Sequence, residues 1–172
     1  MEQLIFKKQD GTIIEDVNQY VKTWANENPY GTITIGCDSQ EFPRFVKYAV
    51  VIVMHYIDKY DVGHGAHVIN AILFDKDVKP RNKAKKGHDN EFDKSTLHPK
   101  LWKEVEITIS VAQMLKGCKK KIQVHLDYNS KEEEMSNALY ASGIGYAQNM
   151  GFEAFGKPYS WAATHTADDL CR

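Results

Sequence analysis

Cysteine is scarce in this sequence, and the few cysteines present are not paired. Among 172 residues there are three, Cys37, Cys118 and Cys171, and no two of them have CxxC spacing. A disulfide framework or a structural zinc site needs more cysteines at closer spacing. We therefore expect three reduced cysteines that pack as small apolar side chains.

Long hydrophobic runs are also missing. The most apolar stretch, residues 48–54, is much too short to cross a bilayer. The first residues, MEQLIFKKQDG, contain no apolar core of a signal peptide. Together with the unpaired cysteines, these absences predict a cytoplasmic protein with no membrane partner.

Neither sign of charge is in excess. Lys and Arg number 22 and Asp and Glu number 23, so the formal net charge is −1. This balance excludes a polycationic nucleic-acid coat, although a local basic patch could still bind a phosphate backbone. The sequence also lacks a Gly-rich phosphate loop, a GxGxxG motif and a Ser-His-Asp order. The length and the 42% of hydrophobic residues predict one domain over residues 1–172.

The hydrophobic periodicity changes along the chain and predicts an α/β fold. Residues 1–30 form an N-terminal extension with a strand or extended piece around residues 4–6, a turn at Asp10-Gly11 and a helix that ends at Asn28-Pro29. The predicted elements after it are strands at 31–37, 44–56 and 62–74, a helix at 101–115, a strand at 122–126, a helix at 132–150, a strand at 152–155 and a helix at 161–170. Short gaps between the first three strands favour antiparallel pairing, whereas the later αβ units need parallel crossovers. We therefore expect a mixed sheet with helices on its faces.

A polar stretch at residues 75–99 is the one clear shift of composition. Its length and polarity predict a surface loop. A solvated loop is the simplest interpretation, but its cations could bind a phosphate backbone if the loop flanks a site. The cations named for that role are Lys79, Arg81, Lys83, Lys85 and Lys86.

Four acidic residues lie at positions in this order of elements that suggest a metal site. Asp38 and Asp127 end two strands that we expect to be neighbours, and ligands bind at such strand ends in open sheets. Glu104 lies on or beside the buried stripe of its helix, and Asp168 lies in the last helix. Converging carboxylates repel one another and need a cation, and oxygen ligands select Mg²⁺ or Mn²⁺ over zinc. Four carboxylates can hold two such ions for in-line phosphodiester hydrolysis.

Each of these acids also has a simpler interpretation. An aspartate after a strand commonly accepts backbone N–H bonds in a turn. Glu104 and Glu106 both suit the positive end of a helix dipole, and Asp168 competes with its neighbour Asp169. Helical spacing puts His165 beside either aspartate.

Two further residues each have two possible roles. His125 lies on the same strand face as Asp127 and is either a proton shuttle or outer donor, or a satisfied core histidine. Lys157, before Pro158, either contacts a phosphate or caps a loop. His125, His165 and Lys157 are therefore named as accessory site residues.

Four segments together resemble the ribonuclease H-like superfamily and, within it, the YkuK-type family of bacterial and phage proteins. They are IGCDSQ at 35–40, the glutamate of LWKEVEI at 101–107, HLDYN at 125–129 and GKPYSWAATHTADD at 156–169. The resemblance implies a ribonuclease H-like mixed five-stranded sheet, of order 3-2-1-4-5, flanked by helices, and a two-metal nuclease site. The helix in the first thirty residues, the polar insert at 75–99 and the lack of a basic-aromatic handle for hybrids depart from the better-known ribonucleases H.

The resemblance also implies a role for each acid. Asp38 would be the acid of the central strand and bridge both Mg²⁺ or Mn²⁺ ions. Glu104 would be the helix acid, Asp127 the acid that ends the fourth strand, and Asp168 the C-terminal acid. The expected function is a metal-dependent nuclease that hydrolyses RNA, DNA or a hybrid. A non-catalytic nucleic-acid-binding module is the alternative, and the missing Gly-rich loop argues against a third class, phosphoryl transfer on nucleotides.

Overall fold

A mixed six-stranded sheet organises the fold. The computed structural model describes residues 4–76, 97–128 and 137–172. The strands are β1 (Lys7–Lys8), β2 (Thr32–Phe42), β3 (Phe45–Ile57), β4 (Gly63–Asp75), β5 (Ile122–Leu126) and β6 (Glu153–Phe155). Their order across the sheet is β1-β4-β3-β2-β5-β6. The pairs β1 with β4, β4 with β3 and β3 with β2 are antiparallel, whereas β2 with β5 and β5 with β6 are parallel.

The predicted five-stranded sheet needs one correction. The five predicted strands do form a mixed sheet, but β1 adds a sixth strand by pairing with the outer strand β4. This strand has only two residues, Lys7 and Lys8, and both have polar side chains. The extended piece predicted around residues 4–6 lies directly before this strand, but two lysines carry no hydrophobic alternation that would have indicated the pairing with β4.

Helices cover the sheet. They are α1 (Val17–Glu27), α2 (Leu97–Met114), α3 (Asn137–Asn149), a π-helical segment (Ala162–Ala167) and the short α4 (Asp168–Cys171) that continues it. The helix predicted in the N-terminal extension is confirmed as α1, and its first turn is capped by Asp16, which accepts a 2.8 Å hydrogen bond from the Gln19 N–H. The last predicted helix is mostly π-helical and begins without a side-chain cap, and the Ser160 hydroxyl just before it lies 3.2 Å from the Thr164 hydroxyl.

Both faces of the central strands are buried. Val50, Ile52 and Met54 of β3 belong to the main hydrophobic core, which includes side chains of α1 and α2. The alternate residues Val51 and Val53 pack with Ala162 and Ala167 in a smaller core on the opposite face. This two-sided burial explains why the sequence of β3 is continuously apolar rather than alternating.

Several sequence expectations concern the rest of the chain. The three cysteines are free and buried, as predicted. Within the described residues no helix is both long enough and apolar enough to span a membrane. The basic residues proposed to bind a phosphate backbone lie outside the described residues; they are Lys79, Arg81, Lys83, Lys85 and Lys86.

Candidate active site

The candidate site lies where β2 continues past the end of β5. The last pair of their parallel register is Cys37 with Leu126, so Asp38 and Asp127 are the next residues on each strand. Asp38 lies inside β2 and pairs with Ala49 of β3, which corrects the prediction that it ends its strand. Because β5 ends here, the backbone edge of β2 opens next to both carboxylates.

Glu104 reaches this point from helix α2. Its side chain is 2% exposed, and its Oε1 accepts a short hydrogen bond from the Ser39 hydroxyl. Its Oε2 is buried and has no hydrogen-bond partner among the described residues. Glu106, which sequence spacing could not separate from Glu104, is exposed. The structure therefore places Glu104, and not Glu106, beside β2.

Asp127 is held by two groups from the last part of the chain. Its Oδ1 accepts a 2.7 Å hydrogen bond from the Thr164 hydroxyl and lies 3.0 Å from the Lys157 ammonium. The Lys157 N–H donates to the Tyr128 carbonyl at 2.8 Å, which ties this loop to the end of β5. Lys157 was named from the sequence as an accessory residue, and its observed partner is this carboxylate.

Asp168 comes from the first turn of α4. Its carboxylate pairs with the Arg172 guanidinium four residues later, and its side chain is 30% exposed. Asp169 and the predicted accessory residue His165 are exposed to a greater extent. Of the two neighbouring aspartates, Asp168 is therefore the one turned toward the protein.

The four acids interact electrostatically although they come from four elements. The pKa of Asp38 is raised to about 6, mainly by burial and also by the negative charges of Asp127 and Asp168, against the opposing effect of a backbone hydrogen bond from Ser39. Burial likewise raises the pKa of Glu104 to about 8, opposed mainly by Lys100. At neutral pH the metal-free site therefore retains a proton on Glu104.

Lys100 is a site residue that the sequence reasoning missed. Its ammonium lies 3.4 Å from the Ser39 carbonyl and 4.0 Å from the Glu41 carboxylate. Its positive charge lowers the pKa of both Asp38 and Glu104. Its position four residues before Glu104 on α2 was the available signal, because residues at i and i+4 share a helix face.

His125 has the surroundings of a core histidine. It is 2% exposed, and its Nδ1 accepts a 3.2 Å hydrogen bond from the Ala162 N–H. Its ring makes edge contacts with Phe155 and Trp161 at 5.5 Å and 5.1 Å between centroids. Burial lowers its pKa to about 4, so His125 is neutral at pH 7 and anchors the π-helical segment to β5.

The four acids supply the oxygen ligands of a cation site, but their side chains do not converge on one point. In the part of the chain that the structure describes, no three His, Cys, Asp or Glu side chains form a metal-binding group. Adjacent strand residues point to opposite faces, so Ser39 meets Glu104 on one side of β2 while Asp38 points to the other. The available donors are nonetheless all carboxylate oxygens, and the buried, unpartnered Oε2 of Glu104 fits a hard divalent cation.

Comparison with known proteins identifies the family. Residues 12–172 match the family described as Ribonuclease H-like, so the chain belongs to this family. The match includes α1, the helix that the sequence analysis treated as an addition, and all four candidate acids. No curated protein and no solved structure matches the chain.

Proposed function

From this family membership and the acidic site, we propose that the chain is a nuclease that hydrolyses phosphodiester bonds in RNA, DNA or a hybrid with Mg²⁺ or Mn²⁺. The family supports a nucleic-acid-related function at the coarse level. The observation that carries the finer proposal is the buried carboxylate of Glu104, whose Oε2 has no partner among the described residues and whose pKa the charges of Asp38 and Asp127 raise. A buried carboxylate in that state is costly unless a proton or a cation neutralises it, and the proton that Glu104 holds at neutral pH marks the place that a cation would take.

In this proposal Asp38, Glu104, Asp127 and Asp168 hold the ions. Bound ions would supply an activated water and stabilise the leaving oxygen. The Oδ1 atom of Asp127 would have to leave the Lys157 ammonium, 3.0 Å away, before it could bind an ion. The released Lys157 ammonium is then a cation beside the site that can contact a substrate phosphate.

The protonation of Glu104 makes cation binding depend on pH. Its pKa of about 8 means that a metal-free site holds a proton there at pH 7. A cation can coordinate this carboxylate only after that proton leaves, so binding releases a proton and strengthens with rising pH.

A second candidate function is a nucleic-acid-binding module that does not cleave. The observation that favours it is that Asp127 and Asp168 already pair with Lys157 and Arg172, and that the described residues form no ready metal group. In such a module the carboxylates would serve structure, so replacing them by amides would leave nucleic-acid affinity intact.

The first prediction separates these two functions through Asp38→Asn, which keeps the size of the side chain but removes its charge. End-labelled single-stranded RNA, single-stranded DNA and hybrid are incubated with millimolar Mn²⁺ and analysed on denaturing gels. We expect the wild type to cleave at least one of these substrates and Asp38→Asn to be about 100-fold slower or worse. The matched control is Asp169→Asn, an exposed aspartate that should keep the wild-type rate.

Two outcomes would contradict the nuclease proposal. Cleavage by Asp38→Asn at the wild-type rate would show that the acidic site does not perform the reaction. Binding of the substrates without any cleavage by the wild type would favour the non-catalytic module.

A further inference from the structure

Three phenylalanines form a continuous aromatic surface at one end of the sheet. The rings of Phe42 and Phe45 are stacked with 4.9 Å between their centroids. The ring of Phe74 meets Phe45 edge-on at 5.4 Å. These residues come from β2, β3 and β4, and we call them the phenylalanine ladder.

The ladder shares its sheet face with Asp38. In the antiparallel register Asp38 pairs with Ala49, and Phe42 pairs with Phe45 four positions further along β2. Side chains alternate along a strand, so residues 38 and 42 point to the same face. Phe74 pairs with Lys47, two residues from Phe45, and therefore lies on this face too. The strand rise separates Asp38 from Phe42 by about 14 Å.

The ladder is accessible. Phe74 is 51% exposed, and Phe42 and Phe45 are only half-buried. Phenylalanine has no polar tip that would explain its contact with water, and exposed aromatic side chains that touch one another mark an interaction surface more often than scattered ones do.

The charges around the ladder suit a polyanion. Arg44, in the turn between Phe42 and Phe45, is exposed, and so is Lys76 directly after β4. Between Asp38 and this turn, the β2, β3 and β4 positions on the same face include Gln40 and Lys47 but no acidic residue. Helix α4 packs on this face next to Asp38, where Lys47 donates to the Cys171 carbonyl at 3.3 Å, and its acids are Asp168, paired with Arg172, and the exposed Asp169. Glu41 and Asp75 alternate to the opposite face.

We propose that the phenylalanine ladder stacks the unpaired bases of a single-stranded nucleic acid whose backbone passes Asp38. The inference rests on the proposed nuclease function and specifies its substrate class. Every base has a π-face, so stacking on aromatic side chains binds single strands with little sequence preference.

Base pairing would prevent this contact. In a duplex the base faces are stacked on one another and are not available to a side chain at the surface. A ladder of this kind therefore distinguishes single-stranded from double-stranded substrate, which the carboxylates, acting on the phosphate, cannot do.

The test measures binding rather than cleavage. Dissociation constants for short labelled single strands of RNA and DNA, and for a blunt duplex of the same sequence, are measured by fluorescence anisotropy in Ca²⁺, which takes the same oxygen ligands as Mg²⁺. A gel run afterwards checks that the strands are intact. The variants are Phe74→Ala, Phe74→Leu and Phe74→Trp. The matched control is Tyr60→Ala, because Tyr60 is 74% exposed in the turn at the opposite end of β3.

We expect Phe74→Ala and Phe74→Leu to weaken single-strand binding by about 5- to 100-fold. Phe74→Trp and Tyr60→Ala should bind single strands as the wild type does, and duplex binding should be the same in all variants. Thermal melting checks that each variant is folded. We expect it to be, because Phe74 is 51% exposed and its replacement leaves the core intact.

Three results would overturn the proposal. The first is an unchanged affinity of Phe74→Ala for single strands, and the second is a wild type that binds no single strands. The third is wild-type affinity in Phe74→Leu, because an aliphatic side chain that replaces the ring without loss would indicate an apolar docking surface for a protein. If the Phe74 variants bind single strands more weakly as expected but the wild type cleaves nothing in Mn²⁺, only the nuclease proposal is contradicted. Cleavage that depends on Asp38 but not on Phe74 would contradict the ladder alone.

Discussion

At the scale of single residues, Glu104 makes the stability of the protein depend on pH. Burial raises its pKa from the usual 4.5 to about 8. Between these values the folded protein holds a proton that the unfolded chain releases. Stability is therefore fully present below about pH 4.5 and is lost as the pH rises through about 8.

The variant Glu104→Gln should remove this dependence, because glutamine does not ionise. Between pH 5 and pH 9 we expect the unfolding free energy of the metal-free wild type to fall relative to that of the variant, by at most about 1.4 kcal/mol per pH unit. The melting temperature of the wild type should fall with it. Thermal melts in the presence of a chelator measure it.

The control for this prediction is Glu106→Gln, since Glu106 is exposed on the same helix. It should follow the wild-type curve at every pH. Parallel curves for the wild type and Glu104→Gln would show that the buried proton is not on Glu104.

At the scale of elements, the position of α1 depends on a glycine. Trp24 of α1 is 6% exposed and makes an edge contact with Tyr56 at 5.6 Å between centroids. A Cβ atom on Gly31 would lie 2.5 Å from the Trp24 ring and 2.8 Å from the backbone oxygen of His55. The helix can therefore pack here only because residue 31 has no side chain.

We expect Gly31→Ala to destabilise the protein by about 1–3 kcal/mol, because the indole of Trp24 and the β3 backbone would both have to move. Gly63→Ala is the matched control, since a Cβ there would have no heavy atom within 4 Å. Denaturant unfolding curves compare the two. Equal midpoints would mean that α1 is not packed against Gly31 as described.

Strand β5 also positions the last part of the chain. Its residue His125 accepts a bond from the Ala162 N–H, and Asp127, just after the strand, accepts one from the Thr164 hydroxyl. Two alternate residues thus fix two positions of the π-helical segment, which leads directly into Asp168. The placement of the C-terminal acid is a consequence of these bonds.

At the scale of the whole molecule, the acids come from β2, α2, the end of β5 and α4. These parts are distant in sequence and come together only in the folded state. An ion that binds several of them binds the native state and not the unfolded chain, so it stabilises the entire fold.

Millimolar Mn²⁺ should therefore raise the melting temperature of the wild type. At 100 times the dissociation constant the gain is about 2.7 kcal/mol, or roughly 5–10 °C for a chain of this length. Asp38→Asn should lose the shift, whereas Glu15→Gln, an exposed glutamate before α1, should keep it. The same shift in all three proteins would place the ion outside the acidic site.

The sequence by itself determined the main elements and the candidate acids. The periods of its apolar residues predicted α1 and the strands β2 to β6, because burial on one or both faces leaves a local pattern in each segment. The motifs around Asp38, Glu104, Asp127 and Asp168 indicated the ribonuclease H-like superfamily, which the match over residues 12–172 shows, whereas the YkuK-type family within it stays a prediction. The roles of these acids stay predictions.

Only the tertiary structure decided how these residues meet. It added β1 to the sheet, extended β2 beyond Asp38, paired Asp127 with Lys157, and brought Phe74 against Phe45. Local patterns record whether a residue is buried, but not which distant residue lies against it. Contacts between distant residues depend on strand register and on the packing of helices onto the sheet, and these are properties of the folded chain as a whole.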